Sequence, residues 1–179
     1  MKSRILLFAI GVILAGLVLI LFSGFPKRDA QVAPAGKGVT APLFSLPALN
    51  GEKIHLADFR GKVVILDFWA TWCPPCQEGI PHLNELFREY RDKGLAVIGI
   101  SLDRVSPGEV QRFLDRKGVE YINVMGSEEV FQAYSALPGL GKIQGIPTAF
   151  LVDREGRVQR KFVGLTGRKI FETAIKPIL

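Results

Sequence analysis

Hydrophobic pattern alone divides the chain into an apolar leader, a polar spacer and a long segment of alternating short apolar runs and amphipathic stretches. Ile5 to Phe25 (ILLFAIGVILAGLVLILFSGF) carries no charged residue. At about 1.5 Å per residue a helix of that length spans roughly 31 Å, the thickness of a bilayer's hydrocarbon core. It is also longer than the apolar stretch of a secretory signal, and the small-residue cleavage candidate Ala33-Pro34-Ala35 lies well past it. Residues 1–25 are therefore expected to be an uncleaved membrane anchor, with a cleaved signal peptide as the alternative. Lys2 and Arg4 precede the apolar run, whereas Lys27 and Arg28 follow it beside Asp29. That asymmetry favours the N-terminus inside and the remainder of the chain outside. Residues 26–40 (PKRDAQVAPAGKGVT) hold two prolines, two glycines and few apolar side chains, which suits a flexible linker.

Residues 41–179 read as one folded domain. Phe44-Ser45-Leu46 and Lys53-Ile54-His55-Leu56 flank Asn50-Gly51, a hairpin pattern. Val63 to Trp69 is a short apolar run that suits a strand buried on both faces. Over 74–92, Ile80, Leu83, Phe87 and Tyr90 share one helical face. Leu95 to Ser101 repeats the buried-strand pattern, and Ser106-Pro107 with Glu109 opens a further helix at capping-box spacing. A strand at Tyr121–Val124, a helical turn over Ser127–Tyr134, a hairpin from Thr148–Val152 to Val158–Val163, and a closing helix from about Gly167 complete the series. The stretch Arg157 to Lys161 alternates basic and apolar residues, as one face of a half-solvated strand does. Strand–helix–strand, then hairpin, then helix describes an α/β sandwich around a central mixed sheet.

Composition changes this picture little. The mean hydropathy of +0.24 is high for a soluble domain because of the leader. The net charge of +6 comes from scattered residues without a basic run, so nucleic-acid binding finds no support.

The chemistry concentrates in Trp72-Cys73-Pro74-Pro75-Cys76, which holds both cysteines of the chain and falls where a buried strand hands over to a helix. A helix N-terminus offers unpaired N–H groups and a partial positive charge that stabilise a thiolate. Cys73, at the exposed tip, is the expected attacking sulfur, and Cys76, in the first turn, the resolving one. Pro74 and Pro75 suit the first turn, where their missing N–H groups are not needed. Neither can donate to the Cys73 thiolate, which leaves Cys76 N–H as the main local donor and points to a reducing couple. A permanent bridge over so short a loop would do little against chain entropy. A zinc site would need two further ligands, and His55 and His82 are the only histidines. Redox chemistry therefore outranks both alternatives, and no cofactor is expected.

Residues 41–179 resemble the TlpA/ResA branch of the thioredoxin superfamily, membrane-anchored bacterial thiol reductases. The resemblance rests on Gly61-Lys62-Val63-Val64, Asp67-Phe68-Trp69-Ala70-Thr71-Trp72-Cys73-Pro74-Pro75-Cys76, Pro81, Gly145-Ile146-Pro147-Thr148 and Gly164. It implies a thioredoxin fold with an N-terminal hairpin extension, and a bacterial periplasmic or extracytoplasmic location. It also implies a cis peptide at Ile146-Pro147, packed against the cysteines and offering backbone to a substrate. Pro81 is then expected to kink the active-site helix. Asp67 falls at the position of thioredoxin's buried aspartate beneath the cysteines, where many close relatives carry an amide. Buried there it would take the proton of Cys76, the alternative being a solvent-facing carboxylate at the strand end. Asp103 matches an acid near the site in some relatives, although an aspartate at a strand end is usually a cap or turn residue. Trp69 is expected in the core and Trp72 on the surface around Cys73.

Two departures from the branch stand out. Gly79 occupies a place where relatives carry glutamate. The segment Ser135–Gln144 is long and carries Leu137 and Leu140, which suggests a partner-contact loop. A peroxiredoxin would lack this two-cysteine helix start, and a copper carrier would need a histidine downstream of His82. The expected partners are disulfide-bonded exported proteins, apocytochrome c among them, and a membrane electron donor that re-reduces the site.

Overall fold

The computed structural model describes residues 31–179; the apolar segment 5–25 lies outside them. Among the described residues, eight strands and four α-helices follow one another as β1 (Gln31–Thr40), β2 (Ser45–Pro47), β3 (Lys53–His55), β4 (Val63–Trp69), α1 (Pro74–Tyr90), β5 (Leu95–Ser101), α2 (Pro107–Lys117), β6 (Ile122–Met125), α3 (Glu128–Ser135), β7 (Thr148–Val152), β8 (Arg157–Val163) and α4 (Arg168–Ile175). The main sheet runs β1-β8-β7-β4-β5-β6, and β2 and β3 form a separate hairpin. β4, β5 and β6 are parallel, as their helical crossovers require. β7, β8 and β1 add antiparallel to the other side. This is the expected thioredoxin-like α/β fold with a mixed sheet.

The period of two in β4 explains how the sheet positions the site. Val64, Leu66 and Phe68 enter one core with Tyr134 and Phe150. Val63 and Ile65 enter the opposite core with Leu83, Leu86 and Phe171, and Trp69, on that same side, packs around the cysteines with Val110 and Leu114. Asp67 shares the parity of Ile65 and Trp69, so the strand sends its carboxyl to the face that α1 covers. Each of these fully buried apolar side chains contributes about 1.5–3 kcal/mol, and α1 is held on the sheet mainly by them.

Local signals set the helix ends. Pro74 and Pro75 occupy the first turn of α1 with Cys73 as N-cap, and Gly94, at φ 99°, takes the left-handed turn that returns the chain to β5. At α2 the backbone N–H of Ser106 donates to Glu109 Oε2 at 3.0 Å. Pro81 lies inside α1.

Three sequence expectations differ from the structure. Gln31–Thr40, read as linker, forms a strand paired with β8, with a register break between Pro34 and Val39. Pairing to an existing edge supplies order that a Pro/Gly-rich segment does not specify alone. The long segment 135–144 does not present its leucines: Leu137, Leu140 and Ile143 are buried in the core beside Tyr134 and Phe150. β8 is not evenly half-solvated either, since Lys161 is buried at 3% exposure.

Candidate active site

The strand-to-helix junction after β4 brings the two cysteines together as a disulfide, with Cα atoms 5.2 Å apart. Cys76 N–H points at Cys73 Sγ at 3.3 Å, while the two intervening prolines have no N–H to give. The sulfur pair thus sits at the positive end of α1 with one local donor, as the motif anticipates. Cys73 is less open than expected, at 4% exposure against 67% for Trp72. The cause is the segment that crosses it: the Ile146 carbonyl oxygen lies 3.7 Å from Cys73 Sγ, and the Ile146–Pro147 peptide is cis.

That segment is fixed on both sides of Ile146. Thr148 Oγ1 donates to the Gly145 carbonyl at 2.7 Å, and Gly164 N–H donates to the Pro147 carbonyl at 2.9 Å. Neither ladder of β7 includes Ile146. Its backbone therefore stands beside the disulfide with pairing capacity to spare.

Beneath Cys76 lies a cavity of about 20 Å³, bounded by Asp67, Cys76, Gly79, Pro147 and Leu165, enough for one water molecule. Burial pushes the Asp67 pKa from 3.8 up to about 7, because an ionised carboxylate there loses its hydration. Gly79 lines this cavity from the helix side, and a Cβ built there meets Leu165 Cδ1 at 3.6 Å, an ordinary contact. Asp67, Cys76, Ile146 and Pro147 are thus gathered around the disulfide.

Asp103 is placed differently. Its carboxylate accepts from Thr71 N–H at 2.9 Å, from Thr71 Oγ1 at 2.6 Å and from Ser101 Oγ at 2.8 Å. Gln77 Nε2 completes the clamp by donating to the Thr71 carbonyl at 2.7 Å. Asp103 therefore ties down the turn that precedes Cys73 and directs its hydrogen bonds at the backbone and hydroxyls, not at sulfur.

Sequence reasoning missed a second support. Trp69 Nε1 donates to Asn123 Oδ1 at 3.1 Å, passing over Gly99, where any Cβ would come within 2.0 Å of that oxygen. A glycine inside an apolar strand run was the available signal, since it marks close approach by another group.

The AhpC/TSA family model matches residues 38–161. The chain belongs to the AhpC/TSA family. Within this thioredoxin-like family it is similar to the thiol-disulfide oxidoreductase ResA of Bacillus cereus, with 32% identity over 99% of both chains. It is also similar to the thioredoxin-like protein YneN of Bacillus subtilis, with 32% identity over 89% of this chain and 94% of the relative. Among solved structures, a thiol:disulfide interchange protein of Chlorobium tepidum superposes with a TM-score of 0.71 at 29% identity, covering 80% of this chain and 98% of that one. As an AhpC/TSA member with these relatives and a paired Cys73–Cys76, the protein is a thiol–disulfide oxidoreductase.

Proposed function

We propose that the protein is a membrane-tethered reductase of disulfides in exported proteins, apocytochrome c among its substrates, with the domain 41–179 facing the extracytoplasmic side. The observation that carries the reductive direction is the donor count at the first sulfur: one N–H, from Cys76, and two prolines. The uncharged run Ile5–Phe25, with Lys2 and Arg4 before it, supports the tether and its orientation.

In the reduced enzyme the Cys73 thiolate attacks a substrate disulfide, forming a mixed disulfide and expelling one substrate thiolate. The substrate backbone pairs with Ile146 beside cis-Pro147, and Trp72 borders the approach. Asp67, in its carboxylate form, takes the Cys76 proton through the single-water cavity. Cys76 then attacks Cys73 Sγ, breaking the mixed disulfide and releasing the second substrate thiolate. Two electrons and two protons leave the dithiol, and the enzyme is left in the disulfide form. Because the outside is net oxidising, a dithiol donor in the membrane must return the electrons. Asp103 acts through Thr71, holding the turn that aims Cys73.

Redox titration of the Cys73–Cys76 couple is expected to give a potential close to the thioredoxin value of about −270 mV. A potential near about −120 mV, where strong oxidants of protein thiols lie, would reverse the proposed direction. Protease treatment of spheroplasts is expected to degrade the domain; protection there would place it on the other side.

A further inference from the structure

Lys161 is the one residue of β8 whose placement contradicts its chemistry. It pairs with Phe150 across the ladder and is 3% exposed. Its Nζ donates to three carbonyl oxygens of a single turn: Leu140 at 3.2 Å, Gly141 at 2.9 Å and Lys142 at 2.8 Å. An ammonium has three N–H donors, so the turn takes up its full capacity. Hydrogen bonds from a charged donor are stronger than neutral ones, and a buried lysine is otherwise costly to the fold. The turn is shaped for this role. Gly139 and Gly141 adopt positive φ of 75° and 67°, a region that favours glycine, and Leu137, Leu140 and Ile143 anchor the segment in the core. Two residues beyond Ile143 the chain reaches Gly145, Ile146 and Pro147, the segment that crosses Cys73.

We infer that Lys161 is a positioning residue for substrate docking: its ammonium fixes the 140–142 turn and so sets where the Ile146 backbone stands relative to Cys73. The inference rests on the reading that substrate backbone pairs with Ile146. It assigns Lys161 no part in the sulfur chemistry. A protein disulfide, which needs the docking edge, must therefore respond to Lys161, whereas a small aromatic disulfide that meets only Cys73 must not.

The test compares insulin and dithiobis(nitrobenzoate) as substrates of the reduced full-length enzyme. Lys161→Met is expected to raise the KM for insulin about tenfold, with kcat and the dithiobis(nitrobenzoate) rate within about twofold of the parent. Lys161→Arg, which keeps charge and donors, is expected to restore the insulin KM to within about threefold. Gly141→Ala disturbs the same turn from its backbone, with nothing within 4 Å of the added Cβ, and is expected to raise the insulin KM likewise. If Lys161→Met does not fold, as judged by circular dichroism, Gly141→Ala carries the comparison. An unchanged insulin KM, or a fall in both substrates in step, overturns the inference. Pro147→Ala separates the two levels. If it raises the insulin KM while Lys161→Met does not, Lys161 has no positioning role and docking at Ile146 stands. If neither moves it, docking at Ile146 is itself wrong.

Discussion

Asp67→Asn is expected to make the protein more stable and slower. In the native state burial holds the Asp67 pKa at about 7 instead of 3.8, so the folded protein binds this proton more tightly than the unfolded chain. The stability that the protonated carboxyl allows is complete below about pH 4. It is lost as pH rises from there to about 7, and the loss is level above that. Such a displacement amounts to about 4 kcal/mol at alkaline pH. The neutral amide carries no such dependence, so Asp67→Asn is expected to match the parent near pH 4 and to exceed it at pH 8 by up to that amount. Denaturant melts at the two pH values measure it; an equal gain at both would assign the effect to packing instead.

The kinetic half of the same prediction has the opposite sign. In the proposed mechanism the mixed disulfide is resolved with Asp67 as carboxylate, so its rate is expected to rise with pH through about 7 in the parent and to lose that inflection in Asp67→Asn. Removing a positioned general base typically costs 10²–10⁴-fold, and a loss of about 100-fold at pH 8 is expected here. Single-turnover release of substrate across pH is the readout. An identical profile for parent and variant would remove Asp67 from the mechanism. Greater stability with lower activity is the usual signature of a charge kept buried for its chemistry.

Replacing Cys73 with serine is expected to reduce insulin turnover by at least about 10³-fold, because a hydroxyl at neutral pH is a far weaker nucleophile than a thiolate and cannot form the mixed disulfide. Folding should survive, since the substitution removes a bridge over a very short loop, where little chain entropy is at stake. Thermal melting of the variant under reducing conditions, where the parent also lacks the bridge, separates loss of chemistry from loss of fold.

The site was legible wherever local chemistry carried it. Two prolines between two cysteines, after an uninterrupted apolar strand, mark a helix start with sulfur at its mouth. The alternation of β4 sends Asp67 to the face of α1. What stayed hidden depends on partners distant in sequence. Lys161 looks solvated among Arg157, Gln159 and Arg160, because nothing in the sequence shows that three carbonyls some twenty residues earlier converge on it. Leu137 and Leu140 look exposed on a Pro/Gly-rich loop, yet the loop folds inward because the core beside Phe150 accepts them. β1 is specified by the free edge of β8 rather than by its own residues. Asp103 sits at a strand end, and only the folded turn brings Thr71 to its carboxylate.

The division of labour between the two sulfurs is tested most directly by trapping. Cys76→Ser enzyme, incubated with a disulfide-bonded protein and analysed by mass spectrometry after acid quenching, is expected to accumulate a covalent adduct whose only enzyme attachment is Cys73, and to release it on adding thiol. An adduct that fails to form, while turnover continues undiminished, would contradict the account.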